Sequence, residues 1–327
     1  MIYAVWLPLL VPLLAAPVAK RVAARLAPHT AAWTLTLTAG ALAFCSTLAL
    51  GMLLTAGALR LAPIAALDDI KPHWLGAEAW WTIPASIMAA GALAFSAVSA
   101  LRRLARQRRE LRDARARTGP TAGDLYVHAH DHPYAYALPG RVGGSGTIVV
   151  SSAMLRALPA DERDVLFAHE RAHLSARHHL FLSAAQLTAS LHPALRMLRE
   201  PLEFHLERWA DESAAEAVGD RQLTARAIGR AALASQASRR EPHRPSLVLG
   251  ATTGPVPRRV LALLSAPVDT HPRSAGRAWR VVAAALLCCL AVSGASALHA
   301  AADLHSDVEA AEMHHGGHGA DADHATR

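Results

Sequence analysis

His169, Glu170 and His173 lie in the stretch DERDVLFAHERAHLSARHH and spell His-Glu-x-x-His. On an α-helix a four-residue step turns the chain by about 400° and raises it by about 6 Å, so both imidazoles fall on one face. Two imidazoles so placed can grip one Zn2+ ion, and Glu170, one residue along, can reach a water held there. That is hydrolytic chemistry: a cation to sharpen the water, a carboxylate to take its proton. The flanks read as a helix. Pro159 suits the first turn, Asp161 and Glu162 complement its positive end, and Val165, Leu166 and Phe167 supply an apolar side. With 19 histidines in 327 residues the pattern can arise by chance, so a third ligand and a fitting scaffold must come from elsewhere.

Two kinds of third ligand are available. His179 stands ten residues after His169, but the pattern that uses such a histidine needs a glycine to break the helix, and that position is Ala176. On a continued helix His179 would lie about 9 Å beyond His173 and point elsewhere, so His178 and His179 read as interfacial residues at a helix end. The second kind is a carboxylate from a later helix. EFHLERWADESAAE places Glu203, Glu207 and Asp211 on one stripe, opposite Leu202, Leu206, Trp209 and Ala210. Most acidic stripes are solvated faces. Beside this motif, Glu207 fits as the ligand with Asp211 behind it to orient a ligand histidine, and Glu203 is the reserve.

The elements that carry these residues sit in an apolar chain. Hydrophobic residues make up 52% and charged ones 18%, with a net charge of +7. Ile2–Ala19, Ala31–Leu59, Ala79–Leu101 and Val281–Ala302 contain no Asp, Glu, Lys or Arg and approach or exceed the roughly 20 residues a bilayer requires. The first has its positive residues, Lys20, Arg21 and Arg25, after the apolar run, which reads as an anchor and not as a cleaved signal. Positive residues also favour the cytoplasmic side for the 102–280 region, which opens with eight arginines between Arg102 and Arg117. The 303–326 tail, with six acids and no Lys or Arg, falls outside, as do the N-terminus and the 60–78 loop. Beside a span, the arginine run is expected to meet lipid headgroups, and no direct nucleic-acid contact is expected. Trp74, Trp80, Trp81 and Trp279 suit an interfacial belt, and Cys45, Cys288 and Cys289 fall within spans, which leaves no disulfide framework.

The expected organisation is three transmembrane helices over 1–101, a cytoplasmic domain over 102–280, a fourth transmembrane helix over 281–302 and a disordered tail over 303–327. Within the domain, Leu125–Ala129, Tyr134–Leu138 and Thr147–Val150 read as strands, and Ser151 or Ser152 caps a short helix before the motif helix. Leu180–Leu198 is broken by Gln186, His192, Pro193 and Arg196 and is expected to lie on or dip into the membrane. Helices then follow over about 201–218, ended by Gly219, and 221–238, before a polar linker at 238–246.

HERAH followed by ERWAD resembles the HExxH…ExxxD arrangement of membrane zinc peptidases, of the BlaR/MecR antirepressor type and also of the HtpX/Ste24 type. The piece PYAYALPG, 133–140, is similar to the edge strand that precedes the motif in such peptidases, with Tyr134 where their asparagine usually stands. The resemblance implies a mainly α membrane protein whose α+β zincin-like metalloprotease domain lies between the third and fourth spans. It implies that His169, His173 and Glu207 hold Zn2+, that Asp211 matches the second acid, and that Tyr134, Ala135, Tyr136 and Ala137 form the substrate-binding edge.

The activity then expected is peptide hydrolysis. Glu170 takes the water's proton and passes one to the leaving amine, while the metal polarises the scissile carbonyl. The partners are a protein or peptide substrate and the lipid bilayer. The span order favours a cytosolic transcriptional repressor as substrate, as the BlaR/MecR resemblance implies, over the clearance of damaged membrane proteins that the HtpX resemblance implies. A different class remains open: a non-enzymatic metal-responsive sensor, with His305, His314, His315, His318 and His324 in the tail as loose ligands.

Overall fold

The computed structural model describes residues 2–58, 82–236 (except Pro120, Ala122, Val142 and Gly143) and 255–265, with four further helical positions between 284 and 295. The 60–78 loop, all four belt tryptophans, the 238–246 linker and the histidine-rich tail lie outside the described residues. So does the fourth apolar stretch apart from those four positions.

Three of the apolar stretches form helices: α1 (Ile2–Ala23), α2 (Pro28–Ala58) and α3 (Thr82–Arg117). Each is long and apolar enough to cross a membrane. Helix α1 contains Pro8, Pro12 and Pro17. Pro12 has no N–H for the carbonyl of Pro8 four residues back. The buried Ser46 hydroxyl of α2 donates to that carbonyl at 2.7 Å, so the same serine repairs the helix and pins α2 to it. Helix α3 runs without a break through the arginine run, which adds a polar stalk of about four turns beyond the apolar half.

A small sheet follows. Strands β1 (Leu125–His128), β2 (Ala135–Leu138) and β3 (Thr147–Ser151) stand in the order β1-β3-β2, with β3 parallel to β1 and antiparallel to β2. β2 is therefore an edge. Ser151 caps α4 (Ser152–Ala157) by accepting from Met154 N–H. The motif helix α5 spans Ala160–Ser175, and its Leu166 shares a buried cluster with Ala135 and Val150 of the sheet and with Met154 and Leu158.

Helix α6 (His178–Leu191) and a 3-10 segment (Pro193–Leu198) occupy the interrupted apolar stretch. They do not stand apart: Phe181, Leu182, Leu195 and Leu198 share one core with Ala15, Ala19, Leu35 and Leu42 of α1 and α2. Helices α7 (Arg199–Val218), α8 (Arg221–Gln236) and α9 (Val256–Leu264) follow. Gly219, at φ 77°, ends α7 in the left-handed conformation. Helix α9 packs Val256, Val260 and Leu263 against Ala215, Ala225 and Ile228, and it has no counterpart among the expected elements.

The corner after β2 is tight. A Cβ on Gly140 would collide with the carbonyl oxygens of Gly144 and Ser145, whereas one on Gly51 would meet nothing within 4 Å. Gly140→Ala is expected to destabilise the protein by about 1–3 kcal/mol, seen as a lowered thermal midpoint, with Gly51→Ala as the control that leaves the midpoint unchanged or higher.

Candidate metal centre

Helix α5 buries one end of the motif face: His169 and Glu170 are 0% exposed and His173 is 4% exposed. The helix stops at Ala176, and the expected continuation to His179 does not occur. Arg177 adopts the left-handed conformation at φ 53° and acts as N-cap of α6, so the chain reverses without a glycine. That reversal brings His178 back over the motif. His178 is 1% exposed, and its Nδ1 lies 2.7 Å from Nδ1 of His173. It is not an interfacial residue, and burial, then the charges of His169 and His179, hold its imidazole down to about 3. His179 points away into a surface groove.

Helix α7 supplies the carboxylates, and the stripe divides. Glu203, the reserve ligand, is paired with Arg199 at 2.7 Å. Glu207 and Asp211, one and two turns further on, are 0% and 1% exposed and face α5. His169 Nε2 lies 3.1 Å from His173 Nε2 and 3.5 Å from Glu207 Oε2, and His173 Nε2 lies 3.8 Å from Glu207 Oε1. Ligand atoms on a tetrahedral zinc ion are separated by roughly 3.4 Å, given bond lengths of about 2.0–2.2 Å. All three donors fall within 4.8 Å of one another, and the set can hold a metal. The other ring nitrogens face polar groups on the side away from the three donors. Asp211 Oδ1 is 3.1 Å from His169 Nδ1, and His178 meets His173 Nδ1, so each imidazole is turned to present Nε2.

Sequence reasoning missed the residue that binds these groups together. Arg259 of α9 is 0% exposed. Its Nε and Nη2 donate to the two oxygens of Asp211 at 2.7 and 2.6 Å, and its Nη1 stands 2.7 Å from Glu207 Oε2. One planar guanidinium thus fixes both the carboxylate of the candidate ligand and the acid that orients His169.

Charge explains the arrangement. Three buried acids, Glu170, Glu207 and Asp211, face one buried guanidinium, and the excess negative charge suits a divalent cation. Burial would push the Asp211 carboxyl up, but Arg259 and then His169 hold it at about 2. Burial would likewise depress His169, but Asp211 and Glu207 raise it to about 9. Without metal, a proton on His169 therefore supplies part of the missing positive charge.

Residues 100–285, more than half the chain, match peptidase family M48, and the chain belongs to that family of zinc metallopeptidases. No curated protein and no solved structure matches it.

Two outcomes follow from the charge balance. His169 must lose its proton to bind metal, and metal-free it keeps that proton up to about pH 9. Zinc affinity is therefore expected to weaken about tenfold for each pH unit lost between 8 and 6, measured by competition with a chromophoric chelator. Arg259→Ala removes the partner of two buried carboxylates and is expected to cost about 3–5 kcal/mol, read as the denaturation midpoint of the metal-free protein. Arg259→Lys should not restore it, because an ammonium cannot span both acids in a fork.

Proposed function

We propose that the protein is an integral-membrane, zinc-dependent endopeptidase in which Glu170 activates the attacking water. The observation that carries this reading is the convergence of His169, His173 and Glu207 on one point at tetrahedral spacing, with Glu170 beside them on the same helix. In it, the two imidazoles and the Glu207 carboxylate hold the ion, and Asp211, His178 and Arg259 keep them aimed. A bound zinc ion supplies Lewis acidity towards the scissile carbonyl and lowers the pKa of water. Glu170 accepts the proton from the attacking water and returns one to the departing amine.

The edge strand supplies positioning. The Tyr134 carbonyl accepts from Ser151 N–H at 2.9 Å, so by antiparallel alternation Ala135 and Ala137 direct their backbone groups to the unpaired edge. An extended peptide adds there as a further strand, with Tyr134 and Tyr136 flanking it.

The finer reading is a peptidase of the BlaR/MecR type. It has four spans, with 102–280 as the cytoplasmic protease domain and the N-terminus and 303–327 tail outside. Its substrate is a cytosolic regulator, a transcriptional repressor, cleaved in response to a signal. The sequence order of apolar stretches and the charge of the segments between them support this reading.

Glu170→Gln is expected to leave one zinc per chain and to lower peptide cleavage about 10²–10⁴-fold, measured by metal analysis and by turnover of a mixed peptide library. Wild-type turnover in that variant would remove Glu170 from its role. In cells carrying the variant, the accumulation of a DNA-binding protein supports the regulator reading, and the accumulation of diverse membrane proteins overturns it.

A further inference from the structure

Helix α3 changes character along a single stripe. Leu104, Arg108 and Arg112 follow at steps of four, as do Leu111 and Arg115, and these two adjoining rows share one face over roughly 16 Å. The end nearer the apolar half of the helix is leucine, and the far end is arginine. This face lines a groove of about 890 Å³ whose opposite walls are the start of α6 and the corner after β2. From α6 comes Leu180, 52% exposed, and from the corner comes Arg141. Among the described residues lining the groove, none is acidic.

The groove is a built feature. Arg115 donates from Nε and Nη2 to the Pro139 carbonyl at 3.1 and 2.9 Å, and from Nη2 to the Gly140 carbonyl at 2.8 Å, which fixes the corner to the helix. The buried side chains of Gln107 and Gln186 hydrogen-bond across its floor and hold α3 to α6. Arg108, Arg112 and Arg141 remain exposed around it, as does Leu104 at 42%. Four guanidiniums from two elements therefore converge on one volume with no acid among its described lining residues, beside leucines left open to the surroundings.

We propose that this groove binds an anionic phospholipid, with the phosphate between Arg108, Arg112 and Arg141 and the first part of an acyl chain along Leu104 and Leu180. A free anion has no use for the leucines, and a hydrocarbon chain has no use for the arginines. A lipid that carries both fits the order in which they appear along α3. The proposal rests on the reading that α3 crosses a bilayer, with its arginine end at the headgroups. The lipid then lies between α3 and α6, whose first residue is the His178 that touches His173, so occupancy bears on the element nearest the metal site.

The test uses the full chain in nanodiscs of phosphatidylcholine with one-fifth phosphatidylglycerol. The protein is re-extracted into mild detergent and its retained lipids are counted by native mass spectrometry. Wild type is expected to keep at least one phosphatidylglycerol per chain, and Arg108→Gln/Arg112→Gln to lose it at least fivefold. Arg102→Gln/Arg103→Gln, equal in charge but outside the groove, should retain it. Equal loss in both variants, or in neither, overturns the site. A further arm measures binding of an acidic peptide in phosphatidylcholine alone. If the groove pair weakens that binding and leaves lipid retention intact, the occupant is peptide and the proposal fails. Alkaline carbonate washing of membranes separates the premise: release of wild type overturns the spanning reading together with the site, whereas retention without headgroup discrimination overturns the site alone.

Discussion

Charged groups cannot be buried one at a time, and that constraint governs the centre of this molecule. Glu170 arrives on α5, Glu207 and Asp211 on α7, and Arg259 on α9, and all are essentially inaccessible. Each would be costly alone. Together, with Arg259 bonded to both acids of α7, they form an arrangement that is stable only when three helices meet. The apolar contacts of Val165 on α5 and Ala214 on α7 with Leu223 and Ala227 on α8 press α5 and α7 together without specifying their rotation. The planar fork of Arg259 does specify it, because its two edges must meet two different carboxylates.

The same constraint explains what could be read from the sequence. The motif helix, the acidic helix and Gly219 were legible because each has a local cause: a 3.6-residue period, a first-turn acid, a residue suited to positive φ. The three strands were legible from β-prone runs between Pro and Gly corners, to within a residue or two. Glu207 was favoured over Glu203 because Asp211 stands behind it and because ERWAD resembles the ExxxD arrangement, and the structure puts Glu203 against Arg199.

Arg259 was not legible. It belongs to nine residues, VPRRVLALL, next to a second arginine, and nothing local separates the buried one from its neighbour Arg258. The spacing of Val256, Val260 and Leu263 does mark an amphipathic turn with prolines at its start, and that signal could have found α9. His178 was misplaced for a different reason. The rule that a glycine must break the motif helix treats the left-handed conformation as forbidden to other residues. Its cost is only about 1–2 kcal/mol, and Arg177 adopts it.

The candidate metal centre and the helices long enough to cross a membrane are joined here by packing, not merely by chain connection. Trp209 of α7 lies between His29 of α2 and His178 of α6, with ring centroids 4.9 and 4.7 Å away, and His178 is 4.8 Å from His173. Trp33 of α2 meets Phe181 of α6 at 4.9 Å. A continuous file of rings thus runs from the start of a helix able to span the membrane to a candidate metal ligand. Close-packed aromatic rings have little room to absorb a shift, so a displacement of α2 against α7 must be met at His178. His173 meets that histidine through Nδ1, so the geometry of the candidate metal centre is set partly by how the apolar helices sit against one another.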